Sequence, residues 1–208
     1  MIDGMTLLTY LAVVTGFVFM PGPAVLMTLA RAVSGGTRAG IATGLGIAVG
    51  DLAHTVMAAC GLSAILAASA ILFNLIKYVG AAYLFYLGVR AILERQSAPL
   101  AVVAAPANDA KAFRQAILAE ILNPKSALFF LAFLPQFVQP QNGNIPLQLA
   151  VLGVLFVLLG ALSTMIFAIG AGGIGNFLRK NPVIARWQSK AVGAIYCALG
   201  IRLALQER

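Results

Sequence analysis

Along the chain, long apolar runs alternate with short polar ones. From Gly4 to Ala30 no residue is charged, and from Ala39 to Ile76 Asp51 is the sole formal charge. About 20 apolar residues suffice to cross a bilayer as one helix. The runs predict about six transmembrane helices, near residues 6–30, 40–61, 71–93, 115–137, 146–169 and 187–205. Ser34-Gly35-Gly36 marks the first turn, and the polar stretch 94–114 reads as the main loop. Residues 139–144 form a polar turn, and a glycine-rich exit at 170–175 leads into a basic loop at 179–186.

Two of these runs are interrupted. Pro21-Gly22-Pro23 lies inside the first. A proline lacks an N–H and clashes with the carbonyl four residues back, so the carbonyls of Phe17 and Phe19 lose their helical donors. Asn123-Pro124-Lys125 interrupts the fourth run, where Pro124 frees the carbonyl of Glu120. At membrane depth a broken helix is tolerated where it is buried in protein or lines a watery cavity. Both breaks are candidate ligand sites, against the plainer reading of a kink that shapes packing.

The two halves echo one another. The third run carries Lys77-x-x-Gly80-Ala81-x-Tyr83 and then Leu87-Gly88-x-Arg90. The sixth carries Lys190-x-x-Gly193-Ala194-x-Tyr196 and then Leu199-Gly200-x-Arg202, with a one-residue slip. The first run of each half holds a proline break. Three spans per half insert the second half the other way up. The chain is thus expected to be a single membrane domain of two inverted three-helix repeats, about 1–95 and 115–208, joined by the loop at 94–114. Paired interrupted helices in such repeats point to a site at the bilayer midplane.

Composition agrees with an all-α polytopic membrane protein. Hydrophobic residues make up 61% and charged residues 10%, with a mean hydropathy of +0.96, where soluble domains are about 25% charged. The net charge of +8 would suit nucleic acid, but the basic residues flank the apolar runs and no aromatic-interleaved basic patch exists. They gather on the odd-numbered connections: Arg31 and Arg38; Arg90, Arg95, Lys111 and Arg114; Arg179, Lys180, Arg186 and Lys190. By the positive-inside rule these connections are cytoplasmic and both termini face outward. A five-span variant, with Glu120–Lys125 interfacial and the next segment re-entrant, would put the C-terminus inside. Asp3 and the lack of a basic residue before the first run speak for a retained span, not a cleaved leader. Cys60 and Cys197 both lie in apolar runs and read as small core residues.

Few residues could carry chemistry. Asp51 falls halfway along the second run, and an acid near the bilayer centre costs roughly 2.5–3.5 kcal/mol and marks function by default. His54 shares its helical face and either relays protons or donates to a carbonyl. Glu120 and Lys125 are either buried partners or interfacial residues. A zwitterion needs a cation site and an anion site. Asp51, with Glu120 as second candidate, suits an ammonium or a coupling proton. Free amides where the helix restarts after Pro23 or Pro124 suit a carboxylate, because a helix N-terminus is partially positive. No catalytic set, phosphate loop or metal cluster is visible, so no cofactor is expected and the chain does not read as an enzyme. A metal-ion exporter, a membrane enzyme or redox carrier, and a channel stand as the rival readings. The sequence is compatible with a homo-oligomer.

Taken together, these pieces resemble the LysE/RhtB family of bacterial amino-acid exporters. The matching residues are Pro21-Gly22-Pro23, Gly46-x-x-x-Gly50-Asp51, Lys77-x-x-Gly80-Ala81-x-Tyr83-Leu84-x-x-x-Gly88, Asn123-Pro124-Lys125-x-x-x-Phe129-Phe130 and Pro135-Gln136-Phe137. The resemblance covers almost the whole chain, apart from the loop at 94–111 and the fifth run. It implies export of amino acids or close derivatives across the bacterial inner membrane, driven by the proton gradient. With so few acids to hold a dibasic substrate, a small neutral amino acid such as threonine, homoserine or leucine is favoured.

Overall fold

The computed structural model describes residues 2–20, 22–62, 70–93 and 108–171, with nine single positions beyond them: 187, 190, 194, 197, 198, 200, 201, 204 and 205. Every regular element among the described residues is helical. Helix α1 is Gly4–Val18, α2 is Pro23–Met57 and α3 is Ala70–Leu93. Helix α4 is Asp109–Ile121, and α5 is Pro124–Leu128, continued by a π turn at Phe129–Phe133 and a 3-10 turn at Leu134–Phe137. Helix α6 is Ile145–Ile169.

Local chemistry sets most of the boundaries. Asp3 caps α1, its carboxylate accepting from the Thr6 N–H at 2.9 Å. Asn108 caps α4, accepting from Lys111 N–H at 2.8 Å, so this helix begins six residues ahead of the expected 115 and shortens the loop. Gly36 breaks α2 with φ 85°, a region that favours glycine because it has no Cβ. A Cβ on Gly40 would lie 2.6 Å from that of Ala32. Along one continuous helix those positions would be about 12 Å apart. Helix α2 is therefore a hairpin of two antiparallel arms, 23–35 and 37–57.

The second arm is the hub. Gly40 abuts Ala168, Gly44 abuts Thr164, and Thr55 fills the space beside Gly153, so this arm runs antiparallel to α6. On its other side Gly46 meets Phe113 and Ala116, and Gly50 meets Ile117 and Glu120, so it runs parallel to α4. Small residues let helix backbones approach this closely in a lipid setting, where apolar side chains gain little by association.

Helix α1 and the first arm of α2 form one broken path along α6. Tyr10 donates to the Leu152 carbonyl at 2.6 Å, and Ser163 donates to the Val18 carbonyl at 2.7 Å. Beyond the break, Val25, Leu29 and Ala32 pack with Ala171. Helices α4 and α5 make a second broken path, bent by 46°, in the opposite direction. Its far part descends beside α1: Phe129 lies 4.5 Å from Phe17 and Phe137 lies 5.1 Å from Tyr10, centroid to centroid. The two breaks end up side by side.

Several expectations are revised. The first run is interrupted at the expected place, but the helix restarted at Pro23 continues to the turn at Gly36, past the expected end at 30. Arg31, expected in a solvated turn, is buried there and donates to Gln115 Oε1 at 2.8 Å. Among the described residues, stretches long and apolar enough to cross a membrane lie within Pro23–Gly61, which the turn at Gly36 divides, and within Ile145–Ile169, with a third if the bent pair α4–α5 counts as one. Six spans and the full inverted repeat need the last run, of which Gly193, Tyr196, Leu199 and Arg202 lie outside the described residues.

Candidate functional site

The two breaks open onto one cavity of about 40 Å³, room for about three water molecules. Gly22, Pro23, Asp51, Glu120, Asn123 and Lys125 all line it. Residues from four separate helical segments thus converge on one point. Glu120 is buried and Lys125 half-buried, and both share the cavity wall with Asp51. Pro124 shapes the break but is exposed and off the cavity wall. Pro21 lies outside the described residues.

The local backbone explains the presentation of each group. Helix α4 stops at Ile121, and Asn123 caps the restart, its Oδ1 accepting from Lys125 N–H at 3.0 Å. The Asn123 amide then donates to both Glu120 carboxyl oxygens, at 3.2 and 3.3 Å. Ser126, two residues past the proline, donates its hydroxyl to Glu120 Oε1. Glu120 is therefore held by donors from the break itself.

Asp51 is placed differently. It is 3% exposed, it shares the cavity wall with Glu120, and its Oδ1 is buried with no donor. Gly160 lies beside it: a Cβ there would be 3.6 Å from Oδ2, an ordinary van der Waals contact.

Lys125 reaches across to the other break. Its Nζ stands 4.2 Å from the centroid of the Phe17 ring, a cation over an aromatic face. The same Nζ is 2.7 Å from where a Cβ on Gly22 would be. Gly22 also caps the first arm of α2, and no side chain caps that helix start.

His54 is absent from the cavity wall. Its Nε2 pairs with the Glu120 carbonyl at 3.0 Å, and its ring stacks on Phe130 at 5.6 Å. That carbonyl is the one Pro124 deprives of a helical donor, so of the two sequence readings the structure carries carbonyl donation.

Sequence reasoning missed Ser126, Phe17, Phe156, Gly160 and Thr164, all of which line the cavity. Ser126 had a signal, a hydroxyl in the first turn of a restarted helix. Gly160 and Thr164 sit in an apolar run with no local mark. Among the described residues no group of three or more His, Cys, Asp or Glu could hold a metal ion.

A family model described as LysE type translocator matches residues 16–207. The chain is 34% identical to the uncharacterized membrane protein YrhP of Bacillus subtilis (strain 168), over 96% of this chain and 99% of that one. It is 31% identical to an uncharacterized membrane protein of Vibrio cholerae, over 95% of both chains. It is 30% identical to a homoserine/homoserine lactone efflux protein of Salmonella typhi, over 94% of both. No solved structure matches the chain.

Proposed function

The chain belongs to the LysE type translocator family, and from that premise we propose that it is a secondary exporter of small neutral amino acids or their close derivatives, driven by inward movement of protons. It acts in the bacterial inner membrane, crossing it several times, with its termini outside. Efflux of homoserine and its lactone by similar proteins supports this substrate class. The observation that carries the reading is Asp51 with its unpartnered oxygen, facing a small cavity between two helix breaks.

The mechanism follows from that carboxyl. A group held between water and protein can take a proton from the outer side and release it inside. In the outward direction the same oxygen receives the substrate ammonium, so proton and substrate exclude one another. A cavity of about 40 Å³ is smaller than an amino acid, so on this reading the helices around it move apart for substrate to enter. One charge moving through 100 mV is worth about 2.3 kcal/mol. A tenfold gradient costs about 1.4 kcal/mol. One proton per zwitterion therefore sustains more than a tenfold outward gradient.

The test is transport in proteoliposomes. Wild-type protein should show counterflow with at least one member of an amino-acid panel, and uphill transport under an imposed pH gradient. Asp51→Asn keeps the volume but cannot cycle a proton. It should abolish uphill transport while exchange of substrate for substrate survives. Uphill transport at the wild-type rate in this variant would make Asp51 structural and turn attention to Glu120.

A further inference from the structure

Three glycines close the seam between the second arm of α2 and α6. A Cβ on Gly40 would lie 3.0 Å from that of Ala168, and one on Gly44 would lie 2.8 Å from the Thr164 hydroxyl. A Cβ on Gly153 would overlap the Thr55 side chain. These three answer a packing demand, because helix backbones this close leave no room for a side chain. Gly160 lies on α6 about two turns beyond Gly153, on the same face. It is buried. Among the described residues, the one atom outside its own helix within 4 Å of a Cβ there is Asp51 Oδ2, at 3.6 Å. Packing does not require a glycine at this position.

Helix stability does not require it either. Alanine is the best residue for a helix interior and glycine among the poorest, so Gly160 weakens α6 without bringing a helix closer. What the missing Cβ leaves is space. Gly160 lines the cavity together with Asp51, Ile47, Phe156, Ser126 and Thr164. A methyl group is about the size of a water molecule, and the whole cavity has room for about three. The Thr164 hydroxyl turns back to the carbonyls of Gly160 and Ala161, at 3.0 Å each, and that of Ser126 donates to Glu120. The wall therefore offers a substituent apolar contact from Ile47 and Phe156, and its hydroxyl protons are already engaged.

Asp51 Oδ1, buried without a donor, is the atom that takes the substrate's ammonium on the exporter reading. The α-carbon follows that nitrogen by one bond and the side chain by two. The first atoms of the side chain thus fall beside the carboxyl, where Gly160 stands. We propose that Gly160 sets the size of side chain this protein carries, its missing Cβ leaving the place where a small, largely apolar side chain rests beside Asp51. This rests on the exporter reading and deepens it by naming a residue that selects among substrates.

The experiment is a size series in proteoliposomes. Glycine, L-alanine, L-2-aminobutyrate, L-threonine and L-leucine compete for counterflow of the amino acid that wild-type protein exchanges fastest. Of the competitors that bind wild type, Gly160→Ala should hold the smallest within about twofold and weaken the largest by at least tenfold. One methylene in an apolar pocket discriminates by about 10–200-fold. In detergent Gly160→Ala should melt at or above the wild-type temperature, whereas Gly153→Ala, the packing control, should melt below it. Equal loss for all competitors, no loss for any, or a Gly160→Ala protein that melts below wild type or does not fold would overturn the assignment with the exporter reading intact. Failure of wild type to exchange any amino acid of the standard twenty would overturn both.

Discussion

Asp51 and Glu120 are carboxyls on the same cavity wall, but their surroundings give them different work. Glu120 accepts from Asn123 and Ser126, while Asp51 Oδ1 has no donor. The carboxyl with an open oxygen gains most from an arriving ammonium or proton. Glu120 is the neighbour whose oxygens already have donors. His54 belongs to the scaffold of that neighbour. The Glu120 carbonyl also accepts from the Asn123 N–H at 3.0 Å, so losing His54 removes one of its two hydrogen bonds, a net loss of about 0.5–1.5 kcal/mol. His54→Ala should lower stability by that amount, read from thermal melting in detergent, and keep uphill transport. Loss of uphill transport with stability unchanged would restore the proton-relay role.

At the level of elements, glycine decides how near the helices come. A Cβ on Gly50 would lie 2.6 Å from the Glu120 Cβ. Nothing at that distance can stay in place. Overpacking of this kind costs about 1–3 kcal/mol, and here it would also push Glu120 away from Asn123. Gly50→Ala should melt at a lower temperature and lose transport activity. Gly16 meets nothing within 4 Å, so Gly16→Ala on α1 is the control and should leave melting unchanged. The π turn at Phe129–Phe133 has a related role. It places Phe129, Phe130 and Phe133 among Phe17, Phe156 and Phe137, an aromatic layer of which Phe17 and Phe156 reach the cavity wall.

For the molecule as a whole, a polar clasp ties the start of α1 to the turn before α6. Gln139 receives the Asp3 N–H at 2.9 Å and donates its amide to the Asp3 carboxylate. Gln148 donates to the carbonyls of Gln139 and Gly143. Asp3 lies outside the apolar helices. The Thr6 N–H, the Thr6 hydroxyl and Gln139 hold its carboxyl down at about 2, from an ordinary 3.8. A lowered folded value contributes stability above the unfolded value, and that contribution fades as pH falls from about 4 toward 2. Asp3→Ala should therefore melt below wild type at pH 6, with the gap closing by pH 2. A gap that persists at pH 2 would assign the effect to something other than the carboxylate. Topology is tested separately: a single cysteine introduced in the loop at 94–107 should resist membrane-impermeant labelling in intact cells. Ready labelling from outside would reverse the proposed orientation.

Hydropathy, prolines and glycines made much of this molecule legible in the sequence. The apolar runs located α3 and α6 to within a residue at each described end, because burial in lipid is a property of composition over a window. Pro21-Gly22-Pro23 and Pro124 located the breaks, and Ser34-Gly35-Gly36 the hairpin, because these residues act on their own backbone. Asp51, Glu120 and Lys125 stood out because a charge in an apolar run is costly wherever the helix goes. What the sequence could not express is which of these groups meet. His54 finds the Glu120 carbonyl 66 residues away, and Lys125 comes to rest against Gly22 on another broken helix. Such pairings depend on how the arms of α2, α4 and α6 pack, through small residues whose spacing marks closeness but not a partner. Only the tertiary structure leaves the Asp51 Oδ1 without a donor and brings the two helix starts to one cavity.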